Sequence, residues 1–140
     1  MKILLAVDGS KNSLDAVASL VKHVSWFSDP PKVRLLYVHL AVPKLGSLGP
    51  SNTALARYYN EEGIERLAKA KRMLDKANLP HVISILVGDP AETICKVARS
   101  EKCDLICMGS RGLGATASLV LGSVATKVLH GASVPVLLVK

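Results

Sequence analysis

From Met108 to Leu129 the chain reads MGSRGLGATASLVLGSVATKVL, with glycine at 109, 112, 114 and 122 and a serine directly after the last. The spacing is G-x2-G-x9-G-S. Such residues offer one chemistry above all, main-chain N–H groups bared to an anion. Glycine lets the backbone approach closely and take positive φ without strain. If Gly122-Ser123 opens a helix, its first turn presents unpaired N–H groups and a partial positive charge, a site for phosphate. Ser123 adds a hydroxyl donor and Arg111 a cation. Charge-assisted hydrogen bonds contribute about 1.5–3 kcal/mol each, so three or four would hold a polyphosphate. The alternative is a plain turn between strand and helix. The pattern is not the P-loop, which needs G-K-[ST], nor a G-x-G-x-x-G directly after the first strand.

Asp8 ends the first apolar run and is the next candidate, as a ligand or as a cap for the loop that follows it. Asp8, Ser10 and His39 could be arranged on paper as a nucleophilic triad. Neither DGSK nor GSRG is the G-x-S-x-G elbow, and Ser10 is better used as a helix cap. His23, His81 and His130 are scattered at element edges. Lys127 lies four residues beyond Ser123 on the same helix face and reads as solvated. Cys95, Cys103 and Cys107 are separated by seven and three residues. Neither interval is a zinc or redox spacing, and Cys95 and Cys107 fall inside apolar patterns, where free cysteine behaves as a small hydrophobe, so the cysteines read as structural.

These residues need elements to position them. KILLAVD (2–8) is an apolar run of strand length, and SKNSLDAVASLVKHVSW after it carries a helical stripe at 14, 17, 18, 21 and 24. KVRLLYVHL (32–40) reads as a strand. ALARYYNEEGIERLAKAKRMLDKA (54–77) reads as a long helix with Gly63 its weak point. HVISILVG (81–88) is a third strand. DPAETICKVARSEK is a helix with Asp89 as cap, Pro90 in the first position and Glu92 in the third. CDLICMG (103–109) is a fourth strand, LGSVATKVLHGA a helix ending near Gly131, and VPVLLVK (134–140) a fifth strand. Strands alternate with helices and are near-continuous Val/Ile/Leu runs, which predicts a parallel sheet with helices on both faces. Ligands of such sheets bind at the carboxyl ends of the strands. The irregular segment 41–52, rich in Pro, Gly and Ser, should hang over that edge.

A length of 140 residues fits one domain. Apolar residues make up 49%, which suits strands covered on both faces. No apolar run approaches the roughly 18 residues of a membrane span, and the opening run is too short for a signal peptide. With the odd cysteine count, the expectation is a cytoplasmic protein without membrane partners. The net charge of +7 favours anionic partners. Between Arg57 and Lys76, however, the basic residues are interleaved with acidic ones, as on a solvated helix face. Aromatic residues are 4% of the chain, too few to stack single-stranded nucleic acid.

AVDGS after Lys-Ile-Leu-Leu, LLYVH, VGDPAETI and DLICMGSRGLG…LGSVATKVLHGASVPVLLVK together resemble the universal stress protein family over essentially the whole chain. Gly109, Gly112, Gly122 and Ser123 match the motif of that family's ATP-binding branch. The resemblance implies a single α/β domain over 1–140, an open five-stranded parallel sheet in the order 3-2-1-4-5. That is a Rossmann-like nucleotide-binding α-hydrolase-like fold, with a homodimer through the last strand, 134–140. It places Ala6, Asp8 and the backbone of Val38 at the adenosine end and Met108 and Gly109 along the ribose. Gly112, Gly122, Ser123 and Val124 fall on the phosphates. Arg111 stands where the family varies, and Ala6 where some ATP-binding members carry proline. Mg²⁺ or Mn²⁺ would accompany ATP, held by phosphates and water.

Three functions follow as expectations. The first is a stress-response or regulatory protein that binds ATP in the crevice between strands 1 and 4. The second is a slow ATPase or adenine-nucleotide hydrolase, for which no placed general base is evident. The third is a dimeric interaction module that takes AMP or a cyclic adenine nucleotide.

Overall fold

The structure, a computed structural model, describes residues 1–41, 52–112 and 121–140. Most of the 41–52 segment and Gly114 of the glycine cluster lie outside them. Five strands, β1 (Lys2–Ala6), β2 (Lys32–His39), β3 (His81–Val87), β4 (Leu105–Gly109) and β5 (Val136–Val139), form one sheet in the order β3-β2-β1-β4-β5. Every pairing is parallel. The helices are α1 (Lys11–Lys22), α2 (Asn52–Lys76), α3 (Pro90–Ser100) and α4 (Ser123–Gly131), with a 3-10 turn at Val24–Trp26. The architecture is the expected Rossmann-like one.

Alternation along the central strands splits the core. Ile3, Leu5 and Cys107 join the cluster under α1 and α2, which includes Val17, Leu67 and Leu74. Leu4, Ala6, Ile106 and Met108 join the opposite cluster under α3 and α4, with Ile94 and Val128. β1 and β4 are buried on both faces, as continuous apolar runs predict. β3 departs from that expectation. Its sequence is as apolar as β1's, yet Val82, Ile83, Leu86 and Val87 are exposed. It is an edge strand, and α3 packs on β1 and β2 instead.

Capping follows the sequence. Ser10 Oγ accepts from the Ser13 N–H (3.2 Å) and starts α1. The Asp89 carboxylate accepts from the Glu92 N–H (3.0 Å) and starts α3, with Pro90 at its first position. Gly63 has a role that propensity does not disclose. A Cβ there would stand 2.5 Å from Ile85 Cγ2, so α2 lies on β3 at a distance only glycine permits.

Candidate functional site

The sheet order makes β1 and β4 neighbours, with Ala6 opposite Met108 in the register. Chain order reverses between them, the switch point at which open parallel sheets place a ligand, past the strands' carboxyl ends. Ala6 and Met108 are buried and Val38 is partly buried, all in the cluster under α3 and α4. The β1–β2 ladder closes with the Val7 N–H donating to the Leu36 C=O (2.9 Å). The main-chain N–H and C=O of Val38, next along the same side of β2, therefore point past the end of β1.

The described glycines of the motif have distinct surroundings. At Gly109 a Cβ would come 2.8 Å from the backbone C and O of Asn12, so this glycine lets the first turn of α1 lie on β4. At Gly112 a Cβ would be 2.6 Å from Asp8 Oδ2. The Asp8 carboxylate thus reaches across from β1 to the segment after β4. Its other oxygen accepts the Ser10 N–H (2.9 Å). Asp8 thus caps its own loop and also lies against Gly112 of the motif. Gly122 lies against the Cα of Arg111. Its N–H donates to the Ser110 C=O (2.8 Å), and this bond returns the chain to the end of β4.

α4 then begins at Ser123 with Gly122 as its N-cap, and no side chain caps it. The first intrahelical bond runs from the Thr126 N–H to the Gly122 C=O (3.0 Å). The N–H groups of Ser123, Val124 and Ala125 precede it and face out of the helix start, as helix geometry requires. Ser123 is exposed and Val124 partly buried. The structure thereby gathers Asp8, Gly112, Gly122 and the α4 start around the end of β4, with Ala6, Met108 and Val38 flanking. Arg111, partly buried, stands beside Gly122.

Two features escaped the sequence reading. Ser110 is fully buried, and its Oγ has no hydrogen-bond partner among the described residues. A buried hydroxyl left so is uncommon and marks a place where a further group could bond. Its only sequence signal was a position inside the motif. The second is a polar cluster at the end of β2. The His39 ring pairs with the Glu62 carboxylate through Nε2, and its Nδ1 lies 2.8 Å from the Leu40 C=O. Arg66 donates to the other Glu62 oxygen (3.2 Å), and Tyr58 also bonds Glu62. Burial pushes the Glu62 carboxyl up, but the hydrogen bonds from His39, Arg66 and Tyr58 outweigh it and hold the group below its ordinary value. The His39 ring lies edge-on to Tyr37 and Tyr58 and 4.4 Å from Tyr59. His39 therefore belongs to Glu62, and Asp8, Ser10 and His39 do not assemble as a triad.

A separate groove of about 670 Å³ runs between α3 and α4, lined by Asp89, Cys95, Arg99, Lys127 and His130 among others. None of the motif residues lines it. Lys127 reaches Asp89 there at 3.5 Å, consistent with a solvated lysine. Among the described residues no three of His, Cys, Asp and Glu gather as a metal site, and no helix is long and apolar enough to cross a membrane.

The profile of the universal stress protein family matches residues 1–140. The chain belongs to the universal stress protein family. A universal stress protein of Thermus aquaticus is 38% identical over 99% of this chain and 97% of its own length. The structure of Methanocaldococcus jannaschii MJ0577 superposes with a TM-score of 0.85 at 29% identity, over 99% of this chain and 94% of that one. At lower identity the fold likeness persists. A universal stress protein in complex with cAMP gives 0.73 at 22% identity, covering 100% and 97% of the two chains. An Arabidopsis thaliana family protein with AMP bound gives 0.68 at 20%, covering 100% and 91%. In this universal stress protein the five-stranded parallel sheet with helices on both faces is thus family architecture.

Proposed function

We propose that this universal stress protein is a nucleotide-dependent regulatory protein that binds ATP at the carboxyl edge of β1 and β4. The observation that carries the reading is the uncapped start of α4, returned to the end of β4 by the bond from Gly122 to Ser110. Backbone N–H groups, a helix dipole and the Ser123 hydroxyl meet there, a combination suited to phosphate oxygens. The Ser110 hydroxyl, without a partner among the described residues, adds a donor at the same strand end. Val38 offers open main-chain groups on the side assigned to the adenosine, with the buried Ala6 and Met108 beside it. Gly112, Gly122, Ser123, Val124 and Arg111 hold the phosphates in this proposal. Mg²⁺ or Mn²⁺ would accompany the nucleotide and neutralise phosphate charge, held by the phosphates and water rather than by a protein cage.

A second reading keeps the same crevice and takes AMP or a cyclic adenine nucleotide as the ligand. The relatives solved with cAMP and with AMP favour it. Self-association through residues 134–140 belongs to the proposal as well, because β5 is an edge strand.

Isothermal titration distinguishes the readings. With magnesium present, ATP is expected to bind saturably and more tightly than AMP or cAMP. Gly122→Val should abolish binding, because a branched side chain meets the Arg111 Cα, already 3.3 Å from a bare Cβ. Tighter binding of AMP or cAMP than of ATP supports the second reading, and no binding of any of the three sinks both.

A further inference from the structure

Among the described residues the outer edge of β3 has no partner strand, and its composition is unusual for an exposed edge. HVISILV (81–87) contains no lysine, no acidic residue and no proline, the devices that usually keep an edge from pairing. Val82 is 58% exposed, Ile83 37%, Leu86 38% and Val87 45%. On the other edge β5 has four residues, all half-buried.

Hydrogen-bond parity shows how a second strand would meet β3. The Val33 N–H donates to the Pro80 C=O and the Gly88 N–H to the His39 C=O, so the even-numbered residues of β3 bond to β2. The N–H and C=O groups of His81, Ile83, Ile85 and Val87 therefore point outward. A two-fold axis through Ser84 pairs two such edges antiparallel. Ile83 then exchanges both bonds with the second copy's Ile85, and His81 with the second copy's Val87. Ser84 faces its own copy as a non-hydrogen-bonded pair, and Val82 faces the second copy's Leu86.

The helix above the strand has the same symmetry. Along the flank of α2 beside β3, Arg57, Glu61, Ile64, Ala68, Lys71 and Asp75 follow one another at helical spacing. That flank is fixed by Gly63 against Ile85 and by Asp75, 3.6 Å from His81. Arg57 pairs with Glu61 (2.9 Å) and Lys71 with Asp75 (2.6 Å). In chain order the charges run plus, minus, plus, minus. Reversed by a two-fold near Arg66, Arg57 meets the second copy's Asp75 and Glu61 meets its Lys71. With Gly63 on Ile85, and steps of about 3.3 Å per strand residue and 1.5 Å per helix residue, Ser84 stands level with Glu65 and Arg66. The strand axis and the helix axis thus coincide. Because α2 packs over both β2 and β3, the two α2 helices would lie about 10 Å apart, a normal helix-packing distance.

We propose that β3 is an interface for a second copy of this chain, joined antiparallel about Ser84 into a continuous sheet, with the paired α2 helices matching charges across the axis. The inference is independent of the nucleotide. If β3 alone engages, the assembly is a dimer; if β5 engages too, copies join in a row. Sedimentation velocity of the full chain reads the assembled mass. Leu86→Lys alters an exposed side chain and places an ammonium opposite Val82, so it should raise the dissociation constant at this interface at least tenfold with an unchanged circular dichroism spectrum. Ser84→Cys in a Cys95→Ser background should oxidise to a disulfide-linked dimer, since non-hydrogen-bonded partners stand within disulfide reach. Arg57→Asp should weaken association and Arg57→Asp/Asp75→Arg should restore it. A parent protein that stays monomeric overturns the proposal. So does an assembly whose mass ignores Leu86→Lys and whose Ser84→Cys form does not cross-link.

Discussion

Asp8 shows how one side chain serves two masters: one oxygen ties down the Ser10 N–H while the other lies against Gly112. The aspartate was legible in the sequence as a strand-end residue, but its contact with Gly112 joins positions more than a hundred residues apart. Glu62 gave no such signal, since it read as one of several acids on a solvated helix. Its folded state favours the carboxylate, because its pKa is held below the ordinary value of 4.5. The resulting stabilisation is fully present above the unfolded value and is lost as pH falls through the folded one. Glu62→Gln should accordingly lower stability at pH 7 and flatten its decline on acidification below about pH 4.5, as urea melts between pH 7 and 3 would show. A variant with the parent's full acid dependence would mean that Glu62 gains nothing from His39 and Arg66.

Among the elements, α2 carries the clearest test. By propensity Gly63 is a defect, and alanine there should gain roughly 1 kcal/mol. The structure reverses that sign, because the new methyl must displace Ile85 from 2.5 Å. Overpacking of this kind costs about 1–3 kcal/mol. Gly63→Ala is expected to destabilise the protein in denaturant melts, and to do so less in an Ile85→Ala background, where the obstacle is gone. Equal effects in both backgrounds would show that the helix simply rides outward. Helix starts, in contrast, were readable in advance. Ser10 and Asp89 accept N–H groups three residues on, and the Gly122 C=O accepts one four residues on, so local sequence suffices to place them.

For the molecule as a whole, the two cores set the reactivity of its thiols. Cys107 lies in the centre of the sheet, where burial pushes its thiol up to about 12. Burial also raises Cys103, and raises Cys95 against the opposing pull of Arg99. Thiolate is the reactive form. A thiol-reactive disulfide at pH 8 should therefore label Cys95 slowly and first, and reach Cys103 and Cys107 only as the chain unfolds. Mass spectrometry during a denaturant titration would follow this. Early labelling of Cys107 in the native protein would contradict a packed β1–β4 centre. Of the two cysteines set in apolar patterns, Cys107 is a core residue, while Cys95 is partly buried beside the groove between α3 and α4; Cys103 is buried as well.

The sequence by itself determined the alternation of strands and helices, the caps and the place of the glycine motif after β4. Those features depend on periodicity and on neighbours a few residues away. Through its family resemblance it also anticipated the strand order. Only the tertiary structure decided which apolar strand lies bare, why Gly63 and Gly109 cannot bear a side chain, and that His39 turns to Glu62. β1 and β3 are almost equally apolar. What separates them is whether distant segments cover their faces, and that is a property of the packed molecule, since burial requires partners that the strand's own residues do not specify.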